Sequence, residues 1–486
     1  MLFLTSVTAN RIFPFAGRAS LYSAARFFSS IPKQLFPRLP VVDNFCQHIM
    51  HGKSSLPLSG YDLVCGQHML LTTGSLVEAL IRLGGCPKRT HAAGKLYSHV
   101  GDVAQGLREL GIHVQPNTPP FGFGGFAAAY YGDIRQLWRE YAQTLTSPRK
   151  GLVVVDDGGA VLGNPPVEVR DFFQLADGRL KIAGLEQTNF KNGGSSMTAD
   201  EVPIATVTVA GSALKTLEPF FVADIAIKES KEYLSDPKHT VVGVVGIGNI
   251  GYALCCKLRQ MGYTLLVNDE NPAKLQKEGL NGAAVDLETL IAKSRVIFGC
   301  TGTNLAENGN LKFFMKPNLG VKTAISLSSG DTQFLGLLRK IQHITRSGGR
   351  SSAAYYLQDI KAKLASGTEW VLPFGGFPLN FRTAQKTGES VEGKFIQVVR
   401  GALLAGVVQA SEMIAAGAEP RTYMLNPEWQ KFLVQSWLHN VPEVRSIIPS
   451  EQLKIFDDVE LIAEHSHGVL LNNAGAGIVH AYKSPK

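Results

Sequence analysis

The chain has 486 residues, a formal net charge of +8 and 45% apolar residues. That length calls for two or three domains with sizeable cores, and a charge so modest, part of it in the N-terminal segment, is too diffuse to argue for a nucleic-acid partner. Six cysteines (Cys46, Cys65, Cys86, Cys255, Cys256, Cys300) show no CxxC or Cys/His spacing, which excludes a disulfide framework and a metal site.

Residues 1–30 hold Arg11, Arg18 and Arg26 on one helical face and no acid. This is the composition of a mitochondrial transit peptide, and Arg26-Phe27-Phe28-Ser29-Ser30 resembles a processing site. The mitochondrial matrix is the expected location, with the cytoplasm as the alternative. Pro32–Pro57 reads as an approach segment punctuated by proline. Asp62–Cys65 reads as a strand, with Gln67-His68 in the loop after it, and Leu76–Leu83 as a helix. Lys88–His91 starts another strand; Asp102–Leu110 has helical spacing; Ile112–Val114 is a short strand. Ile134–Leu145 is a helix, and Gly151–Val155 is an apolar strand ended by Asp156-Asp157-Gly158-Gly159. Such alternation means a parallel α/β layer. Residues 183–198 are polar and glycine-rich and read as a loop. Val202–Ala210 is strand-like, and Ala213–Tyr233 reads as one long helix crossing into a second domain.

Val241–Asp269 organises that second domain. An apolar strand, Val241–Val245, breaks at Gly246-Ile247-Gly248-Asn249-Ile250-Gly251. A helix follows, then a second strand ending at Asp269. This is the dinucleotide fingerprint in its proper context. Gly246 serves the turn, Gly248 lets the backbone approach a pyrophosphate, and Gly251 lets the helix pack on the strand. The helix start supplies N–H groups to the phosphates. Asp269 would accept the adenosine ribose hydroxyls and repel a 2′-phosphate, so NAD is the expected cofactor. Further strands read at Arg295–Phe298 and Ala324–Leu327, with Cys300-Thr301-Gly302 on the ligand side. Ile396–Ala415 is a long apolar helix. The nearest approach to a membrane span, Gly401–Ala418, is interrupted by Gln409 and Glu412, short of the roughly 18 unbroken apolar residues needed; it reads as buried.

In order along the chain, these segments resemble the S-adenosylhomocysteine hydrolase (adenosylhomocysteinase) family over roughly residues 60–410. Cys65-Gly66-Gln67-His68-Met69 is similar to its CLHMT segment, Val155–Gly159 to its LDDGG, Leu185-Glu186-Gln187-Thr188 to its EETTTG, Cys300-Thr301-Gly302 to its TTTG and Leu379-Asn380-Phe381 to its VNL. The resemblance implies tightly held NAD and a redox-neutral cycle of 3′-oxidation and elimination on a thioether nucleoside. It implies His68 as acid/base, Asp157 as a substrate contact and Lys215 at the reacting hydroxyl. Around the cofactor it implies Thr188 and Asn189 at the nicotinamide ribose, Asn249 and Ile250 at the pyrophosphate, and Thr301, Gly302 and Asn380 lining the site. The adenosine half departs from the pattern: the family's threonine and glutamate after the histidine are Leu70 and Thr72, and Gln187 and Ser329 replace a glutamate and a histidine.

The expected architecture is α/β and two-lobed. A discontinuous substrate lobe takes residues 31–215 and 385–420, an NAD-binding doubly wound domain takes 216–384, and 421–486 form a tail. Three functions stay open: an adenosylhomocysteinase-like hydrolase, a catalytically silent NAD-binding paralogue with a regulatory role, and an NAD-dependent dehydrogenase of a small acid. All three take a small molecule, need neither membrane nor nucleic acid, and are compatible with a homo-oligomer.

Overall fold

The computed structural model describes residues 35–120, 122, 124–145, 150–163, 182–186, 205–277, 279–307, 309–340 and 353–474. The leader and the expected cofactor contacts Thr188 and Asn189 lie outside them. The first part of the chain supplies six strands: β1 (Tyr61–Met69), β2 (Thr90–His99), β3 (His113–Val114), β4 (Gly151–Asp156), β5 (Ile182–Glu186) and β6 (Ala205–Thr208). The second part supplies β7 (Val241–Val245), β8 (Thr264–Asn268), β9 (Val296–Gly299), β10 (Val321–Ser326), β11 (Ile360–Lys363) and β12 (Glu369–Leu372). The chain then returns, and β13 (Thr422–Met424) pairs with β6.

Two sheets result. The first has seven parallel strands in the order β13-β6-β5-β4-β1-β2-β3. The second has six in the order β11-β12-β10-β9-β7-β8, with β11 antiparallel. β1, β2 and β4 are buried along almost their whole length, as parallel strands covered on both faces must be. The register sets Cys65 opposite both Ala92 and Val155 and brings Gly66 level with Asp156. His68 and Asp157 therefore emerge side by side at the carboxyl ends of neighbouring strands.

Helix α1 (Gly393–Ala416) is the keel of the first lobe. Val398 to Ala410 are buried without a break, and it packs on β4, β5 and β6 and on the helices Pro40–Met50 and Leu71–Arg82. It is long and apolar enough to cross a membrane, but 89% of its most apolar window is buried inside the fold. It ends at Gly417, whose φ of +65° closes the last turn.

Several local expectations need correcting. Gln67 and His68 belong to β1 itself. Ile182–Glu186, read as the start of a polar loop, is an inner strand; neighbours on both sides satisfy its backbone whatever its glycine content. The proline-punctuated approach contains the helix Pro40–Met50, which starts at a proline because that position needs no N–H donor. Pro219 splits the expected long crossing helix into Ala213–Thr216 and Pro219–Glu229. The segment read as a tail carries the edge strand β13 and the helix Pro427–Asn440.

Candidate functional site

The cofactor side is built from backbone. Gly246 has φ +92°, and a Cβ there would stand 2.8 Å from the Cys300 carbonyl carbon and 2.9 Å from the Thr301 nitrogen. At Gly251 a Cβ would lie 2.0 Å from the Gly246 carbonyl oxygen. Above Gly248 there is open space within 4 Å, and the helix Asn249–Gln260 begins with no side-chain cap. Its first N–H groups and positive dipole end thus face a cradle that a Cβ would fill, which fits a pyrophosphate. Asn249 and Ile250 form this first turn. Asp269 holds the loop from behind: its Oδ2 accepts from the Ile247 N–H (2.6 Å) and its Oδ1 from the Asn271 N–H (2.8 Å).

Across the cradle, Gln333 shapes the Thr301–Gly302 turn. Its Oε1 accepts from the N–H groups of Thr301 and Gly302, both at 3.2 Å, and its Nε2 donates to Thr301 Oγ1 at 2.8 Å. The Gly302 N–H also donates to Ser328 Oγ at 2.9 Å. Gln333 is fully buried and lies 32 residues from the turn it organises, so the sequence offered no local sign of it.

The first lobe contributes side chains. His68 Nε2 lies 3.1 Å from Asp157 Oδ2, and Lys95 Nζ lies 3.1 Å from Asp157 Oδ1. Ser98 Oγ bonds His68 Nδ1. Burial pushes the His68 imidazole down to about 4, and the charges of Lys95 and Arg400 add to that. Burial alone would raise Asp157, but Lys95, His68 and Lys215 together hold its carboxyl well below the usual range. Asp157 is therefore an anion that only accepts, so His68 carries its hydrogen on Nε2 and takes the Ser98 hydroxyl hydrogen at Nδ1. Lys215, whose charge acts on Asp157, is paired with Glu218. The three expected catalytic positions thus share one electrostatic neighbourhood, although both ring nitrogens of His68 are engaged. Asp156, next to Asp157, is pushed up to about 6 by burial despite the N–H bond from Leu162.

Aromatic rings close the cleft. Phe381, one residue after the buried Asn380, stacks on the His68 ring with centroids 4.5 Å apart. Tyr97 stacks on Phe377 at 5.4 Å, and Phe126 meets Phe377 edge-on at 5.5 Å. Asp331 Oδ2 accepts from the Gly124 N–H (2.9 Å) just before the helix Phe126–Gln143, tying the two lobes together. Lys95 and Ser98 escaped the sequence reading, and Phe381 entered it only within the Leu379–Phe381 segment; a lysine set between Ala92-Ala93-Gly94 and Leu96-Tyr97 was the available signal.

The NAD binding domain model of the D-isomer specific 2-hydroxyacid dehydrogenases matches residues 219–309. Two curated proteins of Mycobacterium tuberculosis, from strains CDC 1551 / Oshkosh and ATCC 25618 / H37Rv and both described as uncharacterized, are 24% identical over 361 residues. Those matches cover 73% of this chain and 66% of the relatives, just under two thirds of their length. Among solved structures, a D-lactate dehydrogenase from Treponema pallidum shows 15% identity and a TM-score of 0.34, covering 59% of this chain and 94% of that one. The apo D-lactate dehydrogenase from Escherichia coli shows 18% identity and a TM-score of 0.28, covering 55% and 74%.

The matched domain is NAD-binding, so NAD is the cofactor and the fold is the expected α/β one with a Rossmann-like parallel sheet. The same match corrects the adenosylhomocysteinase resemblance: the domain is of the dehydrogenase type, and the hydrolase reading and its thioether nucleoside fall with it. The structure supplies a physical reason. Leu70 and Thr72, which stand where that family holds adenosine, are buried, and Thr72 is bonded to Glu389 and Arg400. The glycine loop and its acid, one of the segments in that resemblance, are common to dinucleotide domains of many chemistries.

Proposed function

We propose that the chain is an NAD-dependent dehydrogenase of a small D-2-hydroxy acid. The match over residues 219–309 supports this reading. The structural observation that carries it is the part-buried His68 at the carboxyl end of β1, its Nε2 3.1 Å from Asp157 Oδ2 and its ring stacked on Phe381 of the returning chain. Bound NAD supplies the hydride acceptor. The chain's own residues handle the proton. Ser98 gives its hydroxyl hydrogen to His68 Nδ1 as it takes the hydrogen of the substrate hydroxyl. Asp157, 3.1 Å from Nε2, stabilises the imidazolium that results. Lys95 fixes Asp157 as the anion and so fixes the tautomer. The Tyr97, Phe126, Phe377 and Phe381 rings keep water from the reacting carbon.

The test is NADH formation, followed by absorbance, from NAD with the D- and L-isomers of lactate, 2-hydroxybutyrate and glycerate. The expected result is NADH in step with keto acid from D-isomers, falling by about 10²–10⁴-fold in His68→Asn. No NADH from any of these acids sinks the proposal.

A further inference from the structure

Three cations act on the His68–Asp157 pair: Lys95, Lys215 and Arg400. Lys95 is paired with Asp157, and Lys215 with Glu218. Arg400 differs. It sits on α1, only 3% exposed. Its Nε donates to Thr72 Oγ1 at 3.0 Å. Among the described residues, its two terminal nitrogens take no hydrogen-bond partner and no carboxylate forms an ion pair with it. A guanidinium has five N–H donors arranged as a fork, and a buried one left without an anion is costly.

Glu389 stands on the other side of the same threonine. One of its oxygens accepts from the Thr72 N–H, and the other, Oε2, is buried without a partner. Burial raises its carboxyl, although the charge of Arg400 opposes this. Thr72 lies at the head of the helix Leu71–Arg82, directly after β1, and the next residue, Thr73, donates its hydroxyl to the His68 carbonyl at 2.6 Å. The Arg400 guanidinium is thus fixed through Nε by the same short segment that carries His68.

We infer that Arg400 is the anchor for a ligand carboxylate in the cleft beside His68, its terminal nitrogens gripping the two oxygens while Thr72 holds Nε. The identity of that ligand as a 2-hydroxy acid rests on the dehydrogenase reading; the anchor itself does not. A planar two-oxygen anion matches the fork, whereas a neutral hydroxyl would leave the charge uncompensated. Glu389 is the competing anion at this site, close enough to be felt and too far to pair.

The experiment is calorimetric titration of the full chain, saturated with NADH, with oxamate and with its neutral counterpart oxamide. Oxamate carries the carboxylate but offers no reducible ketone, so binding is read apart from hydride transfer. The expected result is that wild type binds oxamate and not oxamide, that Arg400→Gln binds oxamate about 100-fold more weakly with NADH affinity unchanged, and that Arg400→Lys falls between. Glu389→Gln, which removes the competing charge and keeps Arg400, is expected to bind oxamate a few-fold more tightly and decides the matter if Arg400→Gln does not fold. Equal oxamate affinity in wild type and Arg400→Gln overturns the anchor, as does no oxamate binding by wild type or no gain in Glu389→Gln. Oxamate binding that depends on Arg400, with no turnover of any hydroxy acid, removes the proposed reaction and leaves the anchor standing.

Discussion

The two lobes build binding sites by opposite means. On the cofactor side the contacts are main-chain N–H groups, a bare helix start and glycines packed against carbonyl oxygens. On the first-lobe side they are polar and charged side chains set against one another: Ser98, His68, Asp157 and Lys95 in one line, and Glu389, Thr72 and Arg400 in a second. A backbone site is fixed by local geometry and tolerates change wherever side chains point away. A site made of coupled buried charges responds as a unit, because removing one member strands the next.

The largest effect is expected at Asp157, which is 1% exposed. Asp157→Leu strands Lys95 and is expected to cost about 3–5 kcal/mol of stability, read from urea unfolding. The pair Lys95→Met with Asp157→Leu should recover most of that loss; if it recovers none, the two charges do not act together. Gly251→Ala comes next. Its Cβ would meet the Gly246 carbonyl oxygen at 2.0 Å, and a misplaced loop is expected to weaken NAD about 100-fold by calorimetry. Gln333→Ala should weaken NAD about tenfold, the equivalent of one or two lost hydrogen bonds to the Thr301–Gly302 turn. An unchanged affinity would mean that the turn holds its shape alone.

The mildest expectation is a slope. His68 is lowered to about 4 in the fold, against roughly 6.5 when unfolded. Between those values the unfolded chain binds a proton that the folded chain refuses, so stability falls as pH drops from about 6.5 to about 4. His68→Asn should flatten that part of the pH–stability curve. If the slope is unchanged, His68 is not its source.

The same contrast explains what could be read from the sequence. Val241–Asp269 holds a whole phosphate cradle in one run, because strand, turn and helix start are consecutive by construction. The two-lobed α/β plan was legible for the same reason, as each strand carries its own apolar run. The first-lobe site was legible only at the strand ends, His68 and Asp157. Lys215 was also named, but only through the family resemblance; the remaining members come from 95–98, 218 and 389–400, and only the sheet order and α1 bring them together. Short likenesses at strand ends also misled: a histidine after β1 and an aspartate after β4 suit any chemistry that needs polar groups at the mouth of a parallel sheet.

The keel helix has a consequence for how the molecule is made. Synthesis runs from the amino end, so β1 to β6 and then the entire cofactor sheet emerge before Gly393–Ala416 leaves the ribosome. Until then the face of the first sheet that α1 covers has no cover, and the helix itself, once out, is apolar enough to attract membranes and other chains. The cofactor domain can complete its core during translation, whereas the first lobe must wait for α1 and β13. A chain stopped short of Gly393 would carry a finished nucleotide site beside an open sheet, and chaperone demand should concentrate in that interval.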